Sequence, residues 1–133
     1  MIRHTILRAR RARKIDAEYK VFRHKHRNCT FCTISTGDDN EIVSETKHFY
    51  IIKNRFPYEV LDGSKVTDHL LVVPKDHFLE LRDMTPSERK TLVEVLAKYE
   101  KKGYSFFGRS QADTGRSMIH QHTHLIKTED KSK

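Results

Sequence analysis

Three of the nine histidines in this chain stand at every second position of "SMIHQHTHLIK", as His120, His122 and His124. Period two is the period of a β-strand, where alternate side chains leave on the same face about 7 Å apart, so the spacing predicts three imidazoles along one side of one strand. Met118, Ile119, Leu125 and Ile126 make the segment apolar enough to be half buried, with Gln121 and Thr123 on the opposite face. Crowded there, the imidazoles disfavour their own protonation, because like charges and desolvation both lower a histidine pKa. Neutral imidazole is the form that nucleophilic catalysis and metal ligation both need. A solvated polar strand face and a nonspecific metal-binding tract are the plainer readings of any single His-x-His pair.

A second set is Cys29 and Cys32, the only cysteines, in C-x-x-C spacing. A disulfide is disfavoured in a cytosolic chain, and a thioredoxin-type redox pair calls for a βαβ context that the pattern lacks. Zinc is left. Two cysteines supply half of a tetrahedral site, so two more nitrogen or sulfur donors must come from elsewhere. His48, His69, His77 and the three clustered histidines are the candidates, and spacing alone does not choose among them.

The frame that must hold these groups is one domain, since 133 residues are enough to bury a core without staples. Charged residues make up 33% of the chain and hydrophobic ones 36%. No apolar run approaches the roughly 20 residues of a membrane span, and the N-terminus lacks the apolar core of a signal peptide, which predicts a soluble, cytoplasmic protein without membrane contact. The net charge of +8 belongs to an arm: residues 1–28 carry ten Lys or Arg against two acids, and residues 29–133 carry sixteen of each sign. "ILRARRARKIDAEYKVFRHKHR" has no Gly or Pro, and Ile15, Tyr19 and Phe22 recur at helical spacing, so its second half reads as an amphipathic helix. A helix packed by one stripe on the domain is the plain reading of this arm. Cations that grip RNA, DNA or polyphosphate by counterion release are the functional one. Under either, the arm is expected to be an accessory to the domain.

Past Cys32, the turn signal "TGDDN" at 36–40 precedes "EIVSETKHFYIIKN", whose β-branched and aromatic content predicts a strand or hairpin. "HLLVV" at 69–73, an unbroken apolar run stopped by Pro74, predicts a buried strand. Between them "RFPYEVLDGSKVTD" reads as a long and therefore functional loop. Thr85 and Glu88 form a capping box around Pro86, Leu92, Val95, Leu96 and Tyr99 make one apolar stripe, and Gly103 ends that helix. "YSFFGRS" reads as a strand, "QADTG" as a turn and the histidine segment as the last strand. Strands, one main helix and strands again, without βα alternation, predict an α+β fold: a mainly antiparallel sheet with one main helix packed on it, plus an N-terminal basic helical arm. The predicted boundaries are 1–28 for the arm, 29–128 for the domain and 129–133 for a disordered tail too polar to pack.

Taken together, these residues resemble the histidine triad (HIT) family of nucleotide-binding hydrolases and transferases, whose signature is His-x-His-x-His followed by two apolar residues, here His120 to Ile126. "CTFC" is similar to the zinc knuckle of the family's metal-containing branch. "NRFPY" and "DHLLVVPKDH" are similar to its Asn/Asp-containing loop and its "GHxLVxPKxH" strand, and "GRSMIHQHTHLI" to "GQSVxHxHxHII". The resemblance covers residues 29 to 127 in the family's order and implies a HIT-like fold. It implies zinc on Cys29, Cys32, His77 and His120, and a nucleophile at His122 that attacks the α-phosphorus and forms a nucleotidyl-histidine. By the same resemblance the His120 carbonyl holds the other ring nitrogen of His122, His124 and His69 contact phosphate or polarise the site, and the Ser117 hydroxyl assists the phosphate or the leaving group. Asn54 falls at the ribose position, and Phe31, Ile34 and Ile52 at the apolar slot for the base. A nucleoside phosphoramidate or dinucleoside polyphosphate as substrate, and a homodimer, are implied as well.

The chain also departs from the family. Arg116 stands where Gln is usual, a charged fork that either holds an additional phosphate or faces solvent. Asp68 replaces a usual Gly, "EVLDGSKVT" is longer than typical, and Arg109 and Ser110 occupy the region where an Asn contacts phosphate. His4, His24, His26 and His48 match nothing and read as ordinary polar residues. An enzyme is the leading reading. A nucleotide- or nucleic-acid-binding module on the same scaffold with little turnover, and a structural zinc protein whose triad is a metal cluster, are the alternatives.

Overall fold

The computed structural model describes residues 9–25, 29–36, 40–113, 116 and 118–129. In chain order the described elements are β1 (Ala9–Arg10), α1 (Arg13–Lys25), β2 (Ile42–Glu45), β3 (Phe49–Lys53), β4 (Val60–Leu61), β5 (Ser64–Pro74), α2 (Pro86–Lys101), β6 (Ser105–Phe107) and β7 (Thr123–Thr128), with short 3₁₀ helices at Thr30–Thr36 and Leu81–Asp83. This is the expected α+β arrangement, a mostly antiparallel sheet with two helices.

β5 organises the sheet. It pairs antiparallel with β3 from Phe49 opposite Pro74 to Lys53 opposite Leu70. On its other side it pairs with β7, from Val72 opposite Thr123 to Val66 opposite Thr128. β2 lies beyond β3 and β6 beyond β7. Before an irregularity between Val66 and Asp68, the first residues of β5 pair instead with β4, and β4 pairs with β1. Strand alternation then divides the core. Phe49, Ile51, Leu70, Val72 and Leu125 pack against Leu92, Val95 and Tyr99 of α2. Ile52, Leu71 and Val73 point the other way, onto Phe31 and Ile34. Both faces of β5 are covered, which is why its sequence is an unbroken apolar run. The same parity puts His69 with Leu71 and Val73, and His124 with Ile126, on the face away from α2.

The helix α2 begins as its sequence demands. Thr85 Oγ1 accepts the Glu88 N–H at 3.2 Å, a Glu88 carboxylate oxygen accepts the Thr85 N–H at 3.0 Å, and Pro86 opens the helix where no N–H is needed. Beyond its C-terminus Gly103 takes φ +96°, a conformation side chains disfavour.

Two expectations are corrected. Residues 55–68 are not one long loop. Asp62 (φ 49°) and Gly63 (φ 77°) make a two-residue turn that pairs Leu61 with Ser64, so β4 and β5 form a hairpin. Asp-Gly favours this mirror-image turn because both residues tolerate positive φ and its twist matches the flanking strands. The histidine segment is also not one strand. The chain bends at Ile119 and His120, β7 starts at Thr123, and only His124 lies within it. The Gln121 N–H is spent on the Phe78 carbonyl at 2.8 Å, and Gln121 and Thr123 are buried like His120 and His124. Residues 1–8 of the arm, His26, the side chain of His24, the tip of the "TGDDN" turn, the end of "QADTG", Ser117 and the tail beyond Glu129 lie outside the described residues. The Glu129 N–H itself is bonded to the Lys65 carbonyl at 2.8 Å.

Candidate functional site

Cys29 leads into the first 3₁₀ helix, and a bond from the Cys32 N–H to the Cys29 carbonyl (3.2 Å) turns the chain so that both thiols meet two imidazoles. His77 follows β5, and His120 sits at the bend before β7. Cys29 Sγ lies 3.4 Å and Cys32 Sγ 3.5 Å from His120 Nδ1, and His77 Nδ1 lies 3.1 Å from both Cys32 Sγ and His120 Nδ1. All four ligand atoms fall within 4.8 Å of one another. A tetrahedral zinc with ordinary Zn–S and Zn–N bonds sets ligand-to-ligand edges of about 3.3–3.8 Å, so this donor set fits such an ion. Proton placement points the same way. His120 Nε2 is 2.8 Å from the Pro74 carbonyl, which only accepts, so Nε2 carries the hydrogen and Nδ1 offers a lone pair to the cluster. Burial is the main cause lowering the His120 pKa to about 4. Burial, then neighbouring Cys29, raises the Cys32 thiol to about 11. A cation among these donors favours the thiolates and the neutral imidazoles. His48 lies apart, with Nε2 2.9 Å from Ser87 Oγ.

The remaining histidines hold one another in defined tautomers. His122 Nδ1 lies 2.9 Å from the His120 carbonyl and therefore donates, leaving the lone pair on Nε2. The Tyr58 N–H donates to His69 Nδ1 at 3.1 Å, so His69 carries its hydrogen on Nε2. That hydrogen points to His124 Nδ1 at 2.8 Å, which leaves the His124 hydrogen on Nε2. The Tyr58 N–H fixes the His69–His124 pair and the His120 carbonyl fixes His122 separately. Burial is the leading cause in lowering all three pKa values. His69 falls to about 3 with the charges of Arg11 and His122 added, His124 falls well below 6.5 with His122 and His69 added, and for His122 the bond to the His120 carbonyl opposes the fall. The neutral imidazoles expected from the spacing are present, although one flat strand face does not produce them.

His122 and His124 line a pocket whose walls include Phe31, Ile52, Asn54, Arg116 and Met118. Phe31 stands edge-on to His122, with ring centres 5.4 Å apart. Ile34 is buried in the cluster behind Phe31 and does not line the pocket. Asn54 Oδ1 accepts the Phe56 N–H at 2.9 Å, while its Nδ2 lies 3.3–3.4 Å from the His69 ring nitrogens. Arg116 does not simply face solvent. It donates to the carbonyls of Leu79 (2.7 Å), Ile119 (2.6 Å) and Met118 (3.1 Å), pinning the turn before His120.

Several residues of the site carried no local signal. Tyr58 and Phe107 flank His124 with nearly parallel rings, at 17° and 10° and centre distances of 5.7 and 4.6 Å. Phe107 could have been found from pairing, since it sits opposite His124 across β6 and β7. The larger difference concerns the arm. The sequence predicts an accessory, yet Arg11, Tyr19 and Phe22 line the same pocket as His122. β1 adds to the edge of β4, and Tyr19 and Phe22 each pack on Phe56 at 5.0 Å. The apolar stripe that predicts the helix is what carries it onto the site. Arg109 lines the pocket too, with Nη1 3.4 Å from the Asp113 carboxylate and a buried Nε that has no partner among the described residues.

Known proteins resemble this chain in sequence and in fold. An uncharacterized HIT-like protein of Chlamydia muridarum is 29% identical over 92 residues, 63% of this chain and 68% of its own. Another from Methanocaldococcus jannaschii is 29% identical over 106 residues, 74% of this chain and 77% of its own. Among solved structures, a HIT family hydrolase from Legionella pneumophila superposes with TM-score 0.56 at 25% identity, covering 74% of this chain and 90% of that one. A HIT family member from Bacillus subtilis superposes with TM-score 0.60 at 26% identity, covering 75% and 72%. The sequence model of the HIT domain matches residues 36–131, and this chain belongs to the HIT domain family.

Proposed function

We propose that the protein is a zinc-containing HIT hydrolase or nucleotidyl transferase that opens a nucleoside phosphate at its α-phosphorus through a nucleotidyl-histidine on His122. The observation that carries this reading is the 2.9 Å contact from His122 Nδ1 to the His120 carbonyl. It leaves Nε2 as a neutral nucleophile, and the same carbonyl stabilises the positive ring that forms when Nε2 bonds to phosphorus. As that bond forms, the bond from phosphorus to the leaving group breaks and the leaving group departs with its electron pair. Water, or another acceptor, then attacks the same phosphorus. The P–N bond returns its electrons to Nε2, and the attacking group loses its proton to solvent. His124, with its hydrogen on Nε2, donates to a phosphoryl oxygen in both steps, and His69 keeps that hydrogen in place. Phe31 and Ile52 hold the base, Asn54 meets the ribose, Ser117 assists the phosphate, and Arg116 positions the His120 turn. Cys29, Cys32, His77 and His120 would hold zinc, which supplies a structural cross-link there because four protein donors close its coordination.

The test is turnover and trapping. Nucleoside phosphoramidates and dinucleoside polyphosphates are expected to release nucleoside monophosphate. A rapid quench that avoids acid should leave a nucleotidyl adduct that mass spectrometry locates on His122. His122→Asn should lower kcat on the order of 10³-fold or more, with folding retained. An adduct on another residue, or near-normal turnover by the variant, overturns the reading.

A further inference from the structure

Five cationic side chains, Arg11, Lys53, Arg55, Arg109 and Arg116, line the pocket, and no Asp or Glu does so among the described residues. Two of them are built into the site around Tyr58. Arg11 donates from Nε to the Phe56 carbonyl at 2.7 Å, and its guanidinium lies 4.2 Å from the ring centre of Tyr19 and 5.0 Å from that of Tyr58. Its backbone follows directly on a strand fixed by pairing, with the Arg10 carbonyl bonded to the Glu59 N–H. Such a guanidinium is held in place before any ligand arrives. Arg109 reaches the same neighbourhood from the far end of the chain. Its guanidinium lies 5.8 Å from the ring centre of Phe107 and interacts with the Tyr58 side chain. Its Nε is buried without an acceptor. Tyr58 and Phe107 are the two rings that flank His124. Thus two guanidiniums converge beside the histidine that faces the reacting phosphate, and one keeps a buried donor unanswered. Buried donors are paired in nearly all native structures, so this one calls for an acceptor that the described residues do not provide.

We propose that Arg11 and Arg109 form an anion subsite for a phosphate beyond the one attacked, so that the protein selects nucleotides whose α-phosphate is joined to a further phosphate. This deepens, and rests on, the reading of His122 as nucleophile. The tautomers agree with it. His124 holds a single hydrogen, on Nε2, and giving it up would leave an imidazolate, so His124 is a poor proton source for a leaving amine. A phosphate leaving group departs as an anion and needs no such proton. The arm then has a defined task, to carry Arg11 to the leaving-group side of the pocket.

Two measurements test the subsite separately from the hydrolase reading. The first compares kcat/KM for a dinucleoside triphosphate with that for a phosphoramidate of the same nucleoside, in wild type, Arg11→Met and Arg11→Lys. Removing a charge-assisted contact should lower the ratio about tenfold or more in Arg11→Met, with part of it restored in Arg11→Lys. The second is calorimetric binding of inorganic tripolyphosphate, with orthophosphate as comparison, which needs no turnover. Wild type should bind tripolyphosphate more tightly, and Arg11→Met should lose that preference while its circular dichroism stays native. A ratio unchanged by Arg11→Met in an active enzyme overturns the proposal, and so does tripolyphosphate binding that ignores Arg11. An inactive wild type that still binds tripolyphosphate through Arg11 would instead overturn the hydrolase reading and leave the subsite standing.

Discussion

His69 makes no bond to phosphorus in this scheme, yet the hydrogen at His124 is placed by it. Its Nδ1 accepts the Tyr58 N–H and its Nε2 faces His124, at 3% exposure, so a charge there has neither water nor a counterion. The consequence is a stability that depends on pH. Unfolded, the side chain titrates at the ordinary 6.5, and folded it titrates at about 3 through burial and then the charge of Arg11. Below pH 6.5 the unfolded chain therefore binds a proton that the folded one refuses. The His69 contribution is complete above that value and is lost progressively as pH falls toward 3. Urea midpoints should hold steady from about pH 8 to 7 and decline by about pH 5, before the carboxylates titrate. A flat midpoint across that interval would mean that His69 is not held neutral by the fold. At this scale the sequence was informative about identity and silent about direction. The spacing of His120, His122 and His124 singled out the histidines that the fold gathers at the cluster and the pocket, but their tautomers are set by the Tyr58 N–H and by the carbonyls of Pro74 and His120, which only the folded chain brings near.

Elements were legible where their signal is local. The Thr85 and Glu88 pair satisfies two N–H groups within four residues of one another, so nothing distant can override it. Thr85→Ala should cost about 1 kcal/mol and lower Tm by a few degrees. Because α2 packs on the face of the sheet away from the triad, kcat and KM should follow wild type below the transition. Thermal unfolding of the variant checks this, and an unchanged Tm would show that the cap bonds contribute nothing net. The Asp62–Gly63 turn was equally local, but β4 is two residues long and has no period to display, so the hairpin was hidden in a polar stretch. The last strand was misjudged for the opposite reason. Alternation continues through His120 and His122, but the Cys/His contacts of His120 and the Arg116 bonds hold a bend there, and pairing with β5 begins only at Thr123. The arm shows the limit most clearly. Its helical stripe could be read, but its destination could not, because Ala9 and Arg10 pair with residues about 50 positions away.

At the scale of the molecule, the Cys/His cluster joins parts of the chain that the sheet leaves separate. Cys29 and Cys32 precede the first strand of the hairpin β2–β3, His77 follows β5, and His120 precedes β7. A metal held there would cross-link members as far apart as 91 positions. Closing so long a loop removes much conformational freedom from the unfolded chain, and a metal that binds only the folded form adds its binding energy to stability. It also bears on chemistry, because His120 is both a proposed ligand and the donor of the carbonyl that fixes His122. Purified protein should hold about one zinc per chain by elemental analysis. Chelation should lower Tm by on the order of 10 °C or more, and restored zinc should recover it. Cys32→Ser should bind metal weakly and lose stability and turnover together. His122→Asn should keep both metal and Tm, since its ring lies in the pocket and not in the cluster. Wild-type protein that carries no metal, and whose Tm ignores both chelator and added zinc, would reduce the cluster to a set of neutral side chains and leave the His120 turn held by Arg116 and the Pro74 carbonyl alone.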